Sequence, residues 1–385
     1  MASFAIALVL IVAWAYVAAS SLAALRFARR GPGVRGVAPI RQLGDRPPVS
    51  VLKPLHGEEP GLSENLRSFA DQGYPAYQLV LGVRDRSDDA LPIAHAVRRD
   101  RPGCDIQIVV DQRVRGSNLK VANLENMLPV ARHDLIVVAD SDMRVTADYL
   151  AAVTAPLANR GVGLVTCPYK AVPDGGLWSR LAALYINFGF LPGALTGDAI
   201  DIGGGCFGAT IAVRREVLER IGGFARLRNE LADDHRMGSA VRRLGLQTVL
   251  SAYIVENRVS EPSFASLWRH ELRWARTSQA MAPAGYAGSV VTHTVMLALI
   301  AAVLTGSAAA WACVLLSLLL RFVSAAALAR WLALPTTGLW LLPLRDALSF
   351  AVFLASFCGR SVSWRDQSFR VEPGGRIRIE GDKAA

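Results

Sequence analysis

The sequence predicts an α/β domain, a largely parallel mixed sheet flanked by helices, bracketed by one N-terminal and about two to four C-terminal membrane helices. Three observations predict it. Hydrophobic residues make up 52% of the chain and mean hydropathy is +0.30, while charged residues are only 19%; this excludes a disordered chain or a solvated coiled coil. The apolar surplus collects at the two ends, in 22 uncharged residues from Phe4 to Leu25 and 44 without formal charge from Thr277 to Leu320. Between them, short runs rich in Val, Ile and Leu alternate with amphipathic stretches, the order of a sheet joined by crossover helices.

Residues 1–25 read as a transmembrane anchor, long enough to cross about 30 Å of hydrocarbon. A secretory signal fits less well, because no Lys or Arg precedes the run and the run exceeds a usual signal core. Residues 26–48 form a basic juxtamembrane linker, with Arg26, Arg29, Arg30, Arg35, Arg41 and Arg46 against Asp45 alone. The positive-inside rule then places Met1 outside and the following domain in the cytoplasm. Pro47–Pro48 closes the linker. In the soluble stretch, 49–276, Val49–Leu52, Gln78–Val83, Ile106–Val110 and Asp134–Ala139 read as buried strands. Leu62–Gln72 and Asp88–Arg99 read as the helices between them. Residues 277–359 hold the C-terminal membrane segments, two helices turning near Gly306–Ser307 and then Trp331–Cys358. Pro335, Pro343 and the pair Arg345–Asp346 interrupt that last stretch, so re-entrant, interfacial and full-span readings all stand. The tail, 360–385, carries six Lys and Arg against four acids and leans to the cytoplasmic side.

The net charge of +10 has two readings, nucleic acid or anionic lipid. Its excess clusters beside the first helix, which favours the bilayer and argues against a nucleic-acid partner. Five scattered cysteines without a Cys-x-x-Cys pair disfavour a disulfide framework or zinc site and fit a reducing compartment.

Ligands of such sheets collect at the C-terminal ends of the strands. Those ends are acidic here: Val83-Arg84-Asp85, Val110-Asp111 and Ala139-Asp140-Ser141-Asp142. No Gly-x-Gly-x-x-Gly follows a strand and no P-loop occurs, so dinucleotide binding lacks its signature. Two carboxylates spaced Asp-x-Asp suit one Mg²⁺ or Mn²⁺, leaving positions open for diphosphate oxygens; ordinary strand-end turn chemistry explains the same pattern. Asp233–Asp234 precedes a helical stretch, Arg236–Leu244, and reads either as acid/base machinery or as a helix N-cap. Ser266–Ala275 reads as a helix with His270, Arg273 and Trp274 on one face, or as an interfacial anchor.

The order of these pieces resembles the membrane-bound, family-two-like glycosyltransferases with a GT-A catalytic domain, most nearly the ceramide glucosyltransferase-like group. Val49-Ser-Val-Leu-Lys-Pro-Leu-His-Gly57 resembles that group's first strand and loop, and Arg84-Asp-Arg-Ser-Asp-Asp89 its first aspartate motif. Asn118-Leu-Lys-Val-Ala-Asn-Leu124 is similar to its lysine–asparagine segment, and Asp140-Ser-Asp-Met-Arg-Val145 to its second aspartate motif. Asp233–Asp234 matches the third, and His270-x-x-Arg-Trp274 the Gln/Arg-x-x-Arg-Trp signature. Within the group, Leu164-Val-Thr-Cys-Pro-Tyr169, Gly176-Leu-Trp-Ser-Arg-Leu181 and Pro283-Ala-Gly-Tyr-Ala-Gly-Ser-Val-Val-Thr-His293 look most like the bacterial hopanoid-biosynthesis glycosyltransferases.

The resemblance implies an inverting, UDP-sugar-dependent hexosyltransferase of the bacterial inner membrane. The donor it implies is UDP-N-acetylglucosamine and the acceptor bacteriohopanetetrol, with UDP-glucose and ceramide as the alternative pair. A processive polysaccharide synthase is disfavoured by the few spans after the catalytic domain, and a non-catalytic sugar-nucleotide-binding subunit by the intact acids. By the same resemblance Asp85, Lys120 and Asp140 bind the donor, and Asp140 and Asp142 hold the divalent metal. Asp234 is the general base, with Asp233 as the alternative, supported by Asp233, Arg273, Trp274 and His270, the last standing where relatives often carry Gln or Arg. Gly204, Gly205 and Cys206 lie on the acceptor side, in a loop before Ala212–Val217, which reads as the start of a helix.

Overall fold

The computed structural model describes residues 2–30, 46–201, 205–359, 361–364, 367–372 and 374–379. The chain opens with α1 (Ala2–Ala28), then β1 (Val49–Pro54), α2 (Leu62–Ala70), β2 (Tyr77–Val83), α3 (Ala90–Asp100), β3 (Asp105–Val110) and α4 (Leu119–Met127). It continues with β4 (Leu135–Ala139), β5 (Met143–Arg144), α5 (Tyr149–Thr154), β6 (Val162–Thr166) and β7 (Tyr169–Pro173). Next come α6 (Leu177–Tyr185), α7 (Leu191–Ala199), β8 (Thr210–Arg214), α8 (Arg215–Arg220), α9 (Asp233–Arg243), β9 (Gln247–Leu250) and β10 (Val255–Val259). The last third holds α10 (Phe264–Met281), α11 (Pro283–Gly288), α12 (Thr294–Thr305), α13 (Ala308–Leu332), α14 (Leu342–Ser356) and three short strands, β11 (Ser361–Trp364), β12 (Gln367–Val371) and β13 (Ile377–Ile379).

These elements form two compact units. One comprises residues 30–172 and 200–258 and is built on a seven-stranded sheet of order β3-β2-β1-β4-β8-β6-β9. Strands β3, β2, β1 and β4 are mutually parallel and β6 pairs parallel with β9. Strand β8 runs antiparallel to both its neighbours, which makes the sheet mixed as expected. Every residue of β1 and β4 is buried, because both faces are covered. Phe69, Leu66 and Tyr149 pack with Val51 and Val137 on one side, and Val121, Leu124 and Val241 with Leu52 and Val138 on the other. Alternate side chains of one strand thus feed two cores, the reason these strands read as unbroken apolar runs.

Three boundaries differ from expectation. Thr210–Arg214 is a central strand, and the helix expected from Ala212 begins only at Arg215; pairing on both edges outweighs the local helical pattern. Helix α9 starts at Asp233, so Asp233 and Asp234 form its first turn instead of capping it, and Ala232 is the cap. Helix α10 runs 18 residues, well beyond Ser266–Ala275, after Ser263 Oγ accepts from the Ser266 amide at 3.2 Å.

The second unit comprises residues 1–29, 173–199 and 259–385. The stretch 49–276 is therefore not one body: 173–199 and 259–276 pack with the apolar helices. The physical reason is a buried clasp. Arg345, fully buried on α14, donates to both oxygens of Glu271 on α10 at 2.6 and 2.8 Å, and the ring of Tyr185 lies 5.5 Å from its guanidinium. Arg321 on α13 binds Asp346 in the same bidentate way and donates to the Phe188 carbonyl at 2.7 Å. That carbonyl belongs to a π-helical turn, Ile186–Phe190, between α6 and α7. Helix α1 rests on α13 through Leu10 and Val314, with Trp14 Nε1 donating to Ser317 Oγ at 2.9 Å.

Three helical stretches among the described residues, Ile6–Ala28, Ala308–Leu332 and Leu339–Ser356, are long and apolar enough to cross a membrane. A fourth span exists if Pro283–Thr292 and Thr294–Thr305, bent by 70°, count as one. The turn between α12 and α13 falls at Gly306, in the left-handed region at φ 62°, and at Ser307, whose Oγ caps α13. These helices mark a membrane protein.

Candidate functional site

In the sheet unit, the C-terminal ends of β1 and β4 lie side by side, and the chain leaves β4 directly into Asp140. Lys53, on β1, is fully buried and donates from Nζ to the Asp140 carbonyl at 2.6 Å, with the Phe69 ring 3.7 Å beneath. Burial pulls Lys53 down to about 7, against the pull of Asp142, Asp140 and Glu59. Asp142 is turned inward and accepts from Asn257 Nδ2 at 2.7 Å. Burial pushes its carboxyl up to about 7, helped by Asp140 and Glu59 and opposed by Asn257 and Lys53.

Asp140 faces the other way. One third of its side chain is exposed, at 32%, and its Oδ1 meets Lys120 Nζ at 2.6 Å. Lys120 comes from the first turn of α4, whose start Asn118 fixes by accepting from the Val121 amide at 3.1 Å and donating to the Glu230 carbonyl at 2.8 Å. That second bond ties α4 to the segment leading into α9, and so brings Lys120 beside Asp233, at 3.9 Å. Burial opposes the lysine's charge, but Asp140, Asp233 and Asp234 outweigh it and hold Lys120 above the ordinary lysine value.

Asp234 accepts from its neighbour, the His235 amide, at 2.7 Å and from the Gly208 amide at 2.8 Å. Burial raises its pKa, opposed by Lys120 and these two amides. Asp233 is pushed up to about 6 by burial, with Lys120 opposing and Asp234 and Asp140 adding to the rise. Gly208 is the meeting point. A Cβ there would stand 3.4 Å from Asp234 Oδ2, 3.4 Å from Lys120 Nζ and 3.5 Å from Asp140 Oδ2. Three side chains from three separate segments therefore face one small volume at the strand ends.

Asp85 follows β2 on the same sheet. It is exposed, accepts from the Ser87 amide and hydroxyl at 2.9 and 2.7 Å and from Gln112 Nε2 at 3.0 Å, and these bonds hold it below the usual carboxylate range. Of the loop expected on the acceptor side, Gly204 lies outside the described residues. Cys206 is buried against α9, where Gly238 leaves room for it, and burial raises its thiol well above the ordinary value; its side chain packs the core. His270, Arg273 and Trp274 belong to the other unit. There His270 Nδ1 meets Glu261 Oε1 at 2.8 Å, the imidazole packs 4.3 Å from the Trp274 ring, and Tyr185 stacks on that ring at 6.2 Å.

No three His, Cys, Asp or Glu gather as a metal cage among the described residues. Asp140 nonetheless offers accessible carboxylate oxygens, and Mg²⁺ and Mn²⁺ sites that take one or two carboxylates and complete their shell with phosphate and water oxygens fit that donor set. Lys53 and Asn257 were not singled out from sequence, and Gly208 was read only as part of the acceptor-side loop. Lys53 left a signal, a charge inside an apolar strand; Asn257 left none, because its partner lies 115 residues away.

With this geometry in view, the chain can be set beside known proteins. The model of glycosyl transferase family 21 matches residues 5–377. The chain belongs to glycosyl transferase family 21. Ceramide glucosyltransferase 3 of Caenorhabditis elegans is 24% identical over 245 residues, 63% of this chain and 53% of that protein. Ceramide glucosyltransferase 1 of the same organism is 22% identical over 238 residues, 62% of this chain and 51% of its own. The match thus spans about half the length of these curated relatives. Among solved structures, the mannosyltransferase PcManGT of Pyrobaculum calidifontis, in complex with GDP-Man and Mn²⁺, aligns with a TM-score of 0.55 at 20% identity, covering 91% of this chain and 99% of that one. The sheet unit of this family 21 chain has the GT-A fold.

Proposed function

We propose that this family 21 enzyme transfers a hexosyl group, with inversion, from a UDP-sugar to a hydroxyl of a membrane lipid. The observation that carries the reading is the convergence of Lys120, Asp140 and Asp234 on Gly208 at the sheet's C-terminal edge, where α/β folds bind their ligands. Asp85, exposed and ionised at the end of β2, is suited to accept hydrogen bonds from uracil or ribose. Lys120 meets the diphosphate, and Asp140, with Asp142 behind it, would hold a divalent ion that supplies charge stabilisation to the leaving group. Asp234 removes the proton from the acceptor hydroxyl while its oxygen attacks the anomeric carbon. The bond from that carbon to the diphosphate oxygen breaks, and UDP leaves. Burial raises the pKa of Asp234, which makes it a stronger base than a solvated aspartate. By the same resemblance Arg273 would meet diphosphate and Trp274 would pack on donor or acceptor, His270 packs against Trp274, and Gly205 would lie on the acceptor side.

On the motifs shared with the hopanoid group, the donor is UDP-N-acetylglucosamine and the acceptor bacteriohopanetetrol, at the cytoplasmic face of a bacterial inner membrane. The named curated relatives favour a second pair, UDP-glucose and ceramide. A donor-by-acceptor screen of the protein in lipid nanodiscs separates them, with Asp234→Asn as control. Glycosylated hopanoid formed only from the N-acetyl donor supports the first pair. Glucosylceramide overturns that pair and keeps the mechanism. UDP binding without turnover of any pair overturns both.

A further inference from the structure

We propose that Lys120 is a resident counter-cation which guards Asp140 and thereby makes divalent-ion binding depend on the donor's diphosphate. The inference rests on the reading of Asp140 as an ion ligand, and its geometry stands on Lys120 and the charged groups around it. Lys120 Nζ is hydrogen-bonded to Asp140 Oδ1 at 2.6 Å. Beside it, Asp142 is half-buried and accepts from Asn257 through Oδ2, and the Asp140 carbonyl accepts from Lys53. An ion ligated by Asp140 would share that carboxylate with the ammonium, and the two positive charges would repel. Lys120 has two other acids close by, Asp233 at 3.9 Å and Asp234, beside the Gly208 position that both border.

A diphosphate changes this balance. It brings acceptor oxygens that the ammonium can take in exchange for Asp140, and negative charge that both cations share. The carboxylate is then released to the ion. Coupling of this kind is reciprocal: if UDP strengthens ion binding, the ion strengthens UDP binding by the same factor.

The test is Mn²⁺ binding, read from the electron paramagnetic resonance signal of the free ion, on full-length protein in nanodiscs with and without UDP. For the native chain the expected result is an Mn²⁺ affinity that rises about 10-fold or more when UDP is present. Lys120→Gln should bind Mn²⁺ about 10-fold more tightly than the native chain without UDP, and lose most of the UDP effect. Lys120→Arg, which keeps the cation, should behave like the native chain. Native Mn²⁺ affinity that ignores UDP overturns the proposal, whatever the variants do, as does Lys120→Gln binding unchanged from native. Asp140→Asn tests the parent reading separately: Mn²⁺ binding that survives this change removes Asp140 as a ligand and the proposal with it.

Discussion

Asp234 is held by two backbone amides and half-buried beside a lysine, so replacing it changes charge and proton affinity more than shape. Asp234→Asn should retain UDP binding and lose about 10²–10⁴-fold in turnover, as expected for a removed general base; initial rates beside a calorimetric UDP titration check this. Gly208→Ala tests the meeting point directly. The added methyl fits at 3.4–3.5 Å from its neighbours, so the protein should fold with little change in melting temperature. The methyl fills the volume on which the three groups converge, and turnover should fall about 10²-fold, the scale of an ångström's misplacement. Asp142 makes a different prediction. Its folded pKa, raised to about 7, exceeds its value in the unfolded chain, so its contribution to stability is fullest below about pH 4 and is lost as pH rises through 7. Asp142→Asn, which does not titrate, should therefore gain in melting temperature over the native chain as pH rises from 4 to 8. A difference independent of pH would refute the shift. Acids at strand ends were legible because β-strands announce their own termini. The roles of Asn257 and Gly208 were not, because each acts through a partner remote in sequence, and Lys53 showed only as a charge inside an apolar strand.

Helix α10 carries His270, Arg273 and Trp274, and what fixes its position is a contact to α14. Removing one member of a buried ion pair strands the other. Glu271→Ala should cost about 3–5 kcal/mol, seen as a large drop in melting temperature, whereas Glu271→Leu with Arg345→Met should recover most of it. If the double variant is stable but slow, the clasp positions the tryptophan motif as well as holding the helices together. Both charges were visible in the sequence, Arg345 as an interruption of an apolar run and Glu271 within His270–Trp274, yet nothing local links residues 74 positions apart. The same limit explains β8. Its sequence, Thr-Ile-Ala-Val-Arg, runs straight into a helix, and only the neighbours supplied by β4 and β6 decide that it is a strand. Strands of the parallel half were readable because burial on both faces leaves an uninterrupted apolar signature.

At the scale of the molecule, α1 is more than a tether. Trp14 and Ser21 hydrogen-bond to Ser317 and Ser324 on α13, and Leu10 joins a buried cluster with Ala298 and Val314. Deleting residues 1–30 should therefore yield aggregated protein instead of a soluble enzyme, as judged by size-exclusion chromatography in mild detergent; a monodisperse, active product would show that α1 only anchors. The apolar ends were legible from composition alone, but their claim on residues 173–199 and 259–276 was not, since those stretches look soluble until the clasp and the π-helical turn are seen. The chain passes between the two units four times, at residues 29–30, 172–173, 199–200 and 258–259. Neither unit is thus a continuous cassette. A single cut in the gene therefore cannot separate the sheet unit from the apolar helices, and each must be made with the other.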